Sequence, residues 1–327
     1  MSKLNKKLII AVLFLTALSA GAITFSPRTD IVLSVNPESP VSGESFKVGA
    51  TSYVFDPLRA NFQWYLNGKL ISSGRGLLEQ NFIATKPGTN MNITARAVSA
   101  EGTAYESSMS FTVADVDLIA HAPTYIPNWY RGASLATPKS DLEIYAVPHI
   151  YSGKARLDAK NLIYEWFLNG EKLNSQSGGG KSKISVSLPD FSKAEYDIEL
   201  KVSNLSEAVS AKKSIKVKTQ DPAINFYKTS ELIGTERLAK TVFDMPAGGS
   251  ISVIAEPFFM ALNSLSNAQI QWTVNNNFLD NPPASPRVLQ ISAPEGAASA
   301  STFGIKISDL KTLFQRVEGF INVRAIE

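Results

Sequence analysis

One pattern constrains this chain more than any other, because it occurs three times. Phe62-Gln63-Trp64-Tyr65-Leu66-Asn67-Gly68-Lys69-Leu70 returns as Tyr164-Glu165-Trp166-Phe167-Leu168-Asn169-Gly170, then Glu171, Lys172 and Leu173. A worn third copy reads Ile270-Gln271-Trp272-Thr273-Val274-Asn275-Asn276-Asn277, then Phe278 and Leu279. Trp64 and Trp166 are 102 positions apart, Trp166 and Trp272 are 106 apart. That period describes an array of domains, since solenoid repeats run to only ~20–50 residues. Apolar residues at alternate positions place one face of a strand in a core. Asn-Gly supplies the two positive-φ residues of a type I′ hairpin, and Asn-Asn does so less well.

Short β-prone runs flank each copy. Val48 and Ala50, Ile144 and Ala146, and Val253 and Ala255 precede the three Trp strands. In the middle copy Tyr196, Ile198, Leu200 and Val202 alternate with Glu195, Asp197, Glu199 and Lys201, which describes a half-buried strand with a charged outer face. Helical periodicity is nearly absent; Leu310 to Val317 is the best candidate. The expected fold is all-β: three tandem immunoglobulin-like sandwiches at residues 28–116, 117–219 and 220–327, after an N-terminal signal or anchor segment. The joints are Asp115-Val116-Asp117 and Thr219-Gln220-Asp221-Pro222, where proline breaks the ladder.

The Trp strand with its Asn-Gly hairpin resembles strand C of immunoglobulin-like and PKD-like extracellular modules. Ala194-Glu195-Tyr196-Asp197-Ile198 is similar to their strand F pattern, with Ile198 in place of the cysteine. The resemblance implies that Trp64, Trp166, Trp272 and Tyr196 are core pins. It also makes Tyr196 a tyrosine corner whose hydroxyl bonds back to the chain. With no inter-sheet disulfide, each Trp must pack on aliphatic side chains. Residues 117–327, through Tyr125-Ile126-Pro127-Asn128-Trp129-Tyr130-Arg131-Gly132 and the tail from Pro294-Glu295-Gly296, also resemble exported multi-domain proteins of Parcubacteria-like candidate-phylum bacteria. That family has no assigned activity, so the likeness implies architecture and export.

The N-terminus reads as an export signal. Lys3, Lys6 and Lys7 precede the apolar run Leu8 to Leu18, and Ser19-Ala20-Gly21-Ala22 is small and cleavable. Leu8 to Ile23 is 16 residues, short of the ~20 that span a bilayer comfortably. Cleavage after Ala22 and retention as an anchor both place the body outside the cytoplasm. Ala22 stands where a lipoprotein needs cysteine, and no acid suitable for a prepilin occurs before Asp30.

Composition narrows the role. The chain has 327 residues, no cysteine and only two histidines, His121 and His149. Disulfide scaffolds, cysteine-ligated metals and thiol nucleophiles are excluded. The formal charge of +3 comes from Lys3, Lys6 and Lys7, so residues 23–327 carry 29 bases and 29 acids. Nucleic-acid binding therefore has no electrostatic footing.

The remaining motifs favour structure over chemistry. Glu195, Asp197 and Glu199 form a solvated stripe interleaved with Lys193 and Lys201, which lacks the cleft that catalytic carboxylates need. Asp115 and Asp117 are too few for a Ca²⁺ site. Gly178-Gly179-Gly180-Lys181-Ser182 has no strand-to-helix context for a phosphate. Neither histidine sits in an activating context. No catalytic residue, cofactor or metal is expected. One feature stands apart: Tyr125, Trp129 and Tyr130 gather in a Pro- and Gly-punctuated stretch where the second unit begins. It reads either as an interdomain staple or as an aromatic contact for a protein or surface-glycan partner.

Overall fold

The computed structural model describes residues 30–190, 194–281, 283–295, 298–312 and 314–326. The export segment, residues 1–22, and Lys193 lie outside these residues. The chain is all-β, three sandwiches in tandem. The first contains β1 (Val32–Asn36), β2 (Ser45–Thr51), β3 (Asn61–Leu66), β4 (Lys69–Arg75), β5 (Glu79–Ile83), β6 (Asn90–Val98) and β7 (Ala104–Thr112). Its sheets run β1-β2-β5 and β4-β3-β6-β7.

The second contains β8 (Asp115–His121), β9 (Asp141–His149), β10 (Tyr151–Ser152), β11 (Ala155–Arg156), β12 (Ile163–Leu168), β13 (Glu171–Lys172), β14 (Gly178–Gly179), β15 (Lys183–Ser187), β16 (Glu195–Ser203) and β17 (Ser210–Lys218). Its sheets repeat the first pattern as β8-β9-β15 and β13-β12-β16-β17. The third contains β18 (Ala223–Ser230), β19 (Gly234–Thr235), β20 (Val242–Pro246), β21 (Ser250–Phe258), β22 (Gln269–Val274), β23 (Asn277–Phe278), β24 (Val288–Ser292), β25 (Ser299–Ser308) and β26 (Arg316–Ile326). Here β18-β21-β24 faces β20-β26-β25-β22-β23, and β20 crosses between sheets to pair parallel with β26.

Each Trp strand (β3, β12, β22) is an inner strand of its sheet, and the indoles are buried at 0%, 0% and 4% exposure. Tyr196 is buried in the second core. The three cores are separate clusters, spanning Ile31 to Val113, Ala114 to Ala211 and Phe226 to Val323. All three hairpins hold both turn residues at positive φ: Asn67 49° and Gly68 79°, Asn169 50° and Gly170 82°, Asn275 46° and Asn276 67°.

Four expectations change. Trp64 does not pack on aliphatics alone, because Phe82 on β5 meets its ring edge-on at 6.3 Å. The Tyr196 hydroxyl is buried without a hydrogen-bond partner, so the tyrosine-corner bond is not made. Burial, reinforced by the nearby Asp190 charge, raises that phenol's pKa. The described residues of Leu310 to Val317 form no helix. Thr312 N–H donates to the Asp309 carbonyl and Gln315 N–H to the Thr312 carbonyl, which makes successive turns, and Val317 already lies in β26. The one α-helix among the described residues is Leu262–Ser266. Finally, β8 opens at Asp115, so Asp115 and Val116 pair with β9 instead of forming a linker.

Candidate functional site

Between β8 and β9 the chain runs from Ala122 to Ser140 without a strand. Pro123, Pro127 and Pro138 cannot donate to a ladder, and Gly132 further loosens the stretch. Its backbone groups still need partners, and the third sandwich supplies several. Tyr125 N–H donates to the Met260 carbonyl at 2.7 Å, Phe259 N–H to the Tyr125 carbonyl at 2.7 Å, and Leu262 N–H to the Pro123 carbonyl at 3.0 Å. Thr124 forms an antiparallel bridge with Ala261. Phe259 takes φ 63°, a left-handed conformation that costs a bulky residue roughly 1–2 kcal/mol. The bond to Tyr125 and the surrounding rings hold it there.

The side chains follow the backbone. Trp129 meets Tyr227 edge-on at 5.0 Å and Phe258 at 6.4 Å. Tyr130 meets Phe258 at 5.2 Å and Phe259 at 6.4 Å. Trp129 and Tyr125 are half-buried, and Tyr130 is 36% exposed. The structure therefore brings Tyr125, Trp129 and Tyr130 together, with their rings turned onto β18 and the end of β21. Edge-to-face pairs of this kind add about 0.5–1.5 kcal/mol each beyond area burial.

Beside the rings lies a buried charge. Glu256 on β21 is only 5% exposed. Arg287 forms an ion pair with its Oε2, and the Tyr125 hydroxyl donates to the same oxygen at 2.7 Å. Arg287 also donates to the Tyr125 hydroxyl at 2.8 Å and lies 4.8 Å from the centre of that ring. Burial raises the Tyr125 phenol pKa; the Arg287 hydrogen bond opposes this and Glu256 adds to it. A buried carboxylate is tolerated when paired and hydrogen-bonded in this way.

A further residue was not visible in the sequence. Gln315 is fully buried. Its Nε2 donates to Thr137 Oγ1 at 2.9 Å and to the Pro138 carbonyl at 2.6 Å, while its Oε1 accepts from Ala261 N–H at 2.6 Å. One amide thus ties the second unit to the third. Nothing in the sequence marks it, since a lone glutamine between turns carries no periodicity.

The other motifs settle elsewhere. Glu195 pairs with Lys216 at 3.0 Å and Lys218 at 3.3 Å, and Glu199 with Lys212 at 2.8 Å. Lys181 Nζ donates to the Ser175 carbonyl at 2.7 Å. Asp117 meets His149 Nε2 at 2.9 Å, and Asp115 accepts from Val116 N–H. Among the described residues no group of three or more His, Asp or Glu is gathered for a metal.

Strand order, buried Trp strands and a seam between successive sandwiches define a tandem immunoglobulin-like β-sandwich protein. No family model matches the chain, and no curated protein does. Solved structures do. Fibronectin(III)-like modules of Clostridium thermocellum CbhA align at 14% identity over 58% of this chain and 94% of theirs, with a TM-score of 0.27. The three N-terminal domains of the bacteriophage RB49 outer capsid protein Hoc align at 13% over 91% and 99%, TM-score 0.24. The central fibronectin-III array of RIM-binding protein aligns at 11% over 90% and 96%, TM-score 0.30. These overlays are loose, and the fold assignment rests on the strand order above.

Proposed function

We propose that this chain is a non-catalytic, exported cell-surface or secreted protein, of the kind found in multi-domain bacterial surface proteins. Its three modules, divided near Ala114 and Thr219, act as a spacer, adhesive or protein-interaction arm. The observation that carries the reading is the seam. The richest cluster of aromatic and buried polar groups joins one sandwich to the next, and no nucleophile with a base is gathered there. Tyr130, with Trp129 and Tyr125 behind it, presents the exposed edge of that seam to a protein or surface-glycan partner. No cofactor, metal or nucleic acid is required.

A second reading, a membrane-tethered accessory subunit of an envelope machine for pilus assembly, secretion or DNA uptake, is favoured by the apolar run from Leu8 to Ile23. Among the described residues no helix is long and apolar enough to cross a membrane, so this reading depends on the N-terminal segment alone. N-terminal sequencing of the chain recovered from its own envelope separates the two: a start at Ile23 supports the secreted arm, an intact Leu8 to Leu18 the tethered subunit. Cross-linking in that envelope with mass spectrometry tests the role. Extracytoplasmic partners are expected, and partners confined to the cytoplasm would overturn export.

A further inference from the structure

The three repeats allow one outward sheet face to be compared position by position. In the first sandwich two cross-strand rows lie on that face: Gln63, Arg96 and Glu106, then Tyr65, Thr94 and Ser108. The second carries Glu165, Lys201 and Lys212, then Phe167, Glu199 and Ser214. Both faces are closed by their own side chains. Arg96 pairs with Glu106 at 3.1 Å and Thr94 bonds Ser108 at 2.7 Å. Glu165 pairs with Lys172 and Lys201, and Glu199 with Lys212. Tyr65 or Phe167 places the ring of that second row on the Trp strand.

The third sandwich breaks this pattern. Its rows are Gln271, Lys306 and Glu318, then Thr273, Gly304 and Phe320, with Phe278 beside Thr273 on β23. The large ring has moved from the Trp strand to β26. Gly304 permits it: a Cβ there would lie 2.7 Å from the Phe320 ring and 2.6 Å from Thr273 Oγ1. The Phe320 ring therefore lies across Gly304 toward Thr273, and a groove lined by Thr273 runs between it, at 50% exposure, and Phe278, at 70%. The groove holds about 290 Å³ and is flanked by Gln271, Asn276, Lys306 and Glu318. Lys306 and Glu318 are direct register neighbours, yet they form no ion pair of the kind Arg96 and Glu106 form.

We propose that this groove binds a neutral polysaccharide chain. Two exposed rings on either side of a groove suit a ligand with apolar faces and a hydroxylated rim. The flanking amides, cation and anion offer donors and acceptors with balanced charge. A polyanion would meet Glu318 and only one lysine, and a β-strand partner would seek a sheet edge in preference to a face. The proposal deepens the adhesive-arm reading by giving it a ligand class and a site.

The test is affinity electrophoresis of the full chain in native gels cast with xyloglucan, galactomannan, dextran or hydroxyethylcellulose, with polygalacturonate as an acidic comparison. At least one neutral polymer is expected to retard the protein. Phe278→Ala and Phe320→Ala are each expected to weaken that binding about tenfold, which corresponds to about 1.4 kcal/mol. Thr273→Tyr, which restores the ring that the Trp strand carries in the first sandwich, is expected to abolish binding with the urea midpoint unchanged. Retardation by no neutral polymer, by polygalacturonate alone, or equally in wild type and Thr273→Tyr would overturn the proposal. So would loss of a protein cross-link, without polysaccharide binding, in the two phenylalanine variants. None of these outcomes touches the export and arm reading, which envelope cross-linking decides separately.

Discussion

At the scale of single residues, two devices recur that the repeat motif only half reveals. The first Asn of each hairpin does more than tolerate positive φ. Its Oδ1 accepts a backbone N–H from the neighbouring strand: Asn67 from Asn92, Asn169 from Asp197, Asn275 from Thr302, at 2.9, 2.9 and 3.0 Å. Each indole likewise donates to a loop carbonyl, Trp64 to Leu77, Trp166 to Lys181 and Trp272 to Pro286. These bonds explain why Trp and Asn recur where Phe and Gly would satisfy pattern alone. Tyr196 is the contrary case. Its buried hydroxyl lacks a partner, so Tyr196→Phe removes a desolvation cost and is expected to leave stability unchanged or raise it by up to about 1 kcal/mol. A urea midpoint that falls instead would show that the hydroxyl is bonded.

Tyr164 behaves differently. It is fully buried, its hydroxyl donates to the Ala159 carbonyl at 3.0 Å, and burial, with Asp158 nearby, pushes its pKa up to about 12. A raised folded-state pKa means stability is fully present below the unfolded value near 10 and is lost as pH climbs from about 10 to about 12. Following tyrosinate absorbance and circular dichroism together should show the second core failing in that window. Tyr164→Phe should weaken this alkaline dependence, leaving the part that the buried Tyr196 phenol contributes.

At the scale of elements, the hairpins were legible because their signal is local: alternation, then two residues that accept positive φ. Replacing Asn169 tests the two contributions separately. Asn169→Gly keeps the turn conformation and loses one exposed bond, an expected cost of about 1 kcal/mol. Asn169→Ala adds a left-handed penalty of roughly 1–2 kcal/mol. Denaturation midpoints should therefore fall in the order Asn, Gly, Ala. Leu310 to Val317 misled for the opposite reason. Its apolar residues fit a helix, but the Asp309 carboxylate accepts from Lys311 N–H, and Asp309 N–H donates to the Gln315 carbonyl, closing the segment as a loop. That local closure delivers Gln315 into the seam.

At the scale of the molecule, the two joints differ in kind. The first and second sandwiches meet through a parallel bridge of Val41 with Ala114 at the joint itself, through Ser39 Oγ and Ser210 Oγ at 2.9 Å, and through the Tyr151 ring lying against Gly88. The second and third share a backbone bridge, a cluster of rings, a buried ion pair and the Gln315 amide. Gln315→Ala would leave the Pro138 carbonyl and Ala261 N–H without that partner inside the seam, an expected cost of about 3 kcal/mol. In calorimetry the second and third modules should then unfold in separate transitions where the wild type shows coupled unfolding. A single unchanged transition would mean that the seam does not couple them.

The sequence by itself determined the sandwich count, the buried Trp strands and the turn geometry, because alternation, positive-φ residues and a period of about 100 residues act locally and repeat. It also singled out Tyr125, Trp129 and Tyr130 as a group. Only the tertiary structure decided where those rings point and that Glu256, Arg287 and Gln315 join them. It alone showed that Phe320, lying across Gly304, and Phe278 flank one groove. Those pairings link residues more than a hundred positions apart or on different strands of one sheet. They depend on how folded units meet and which faces they leave open, which no local pattern encodes.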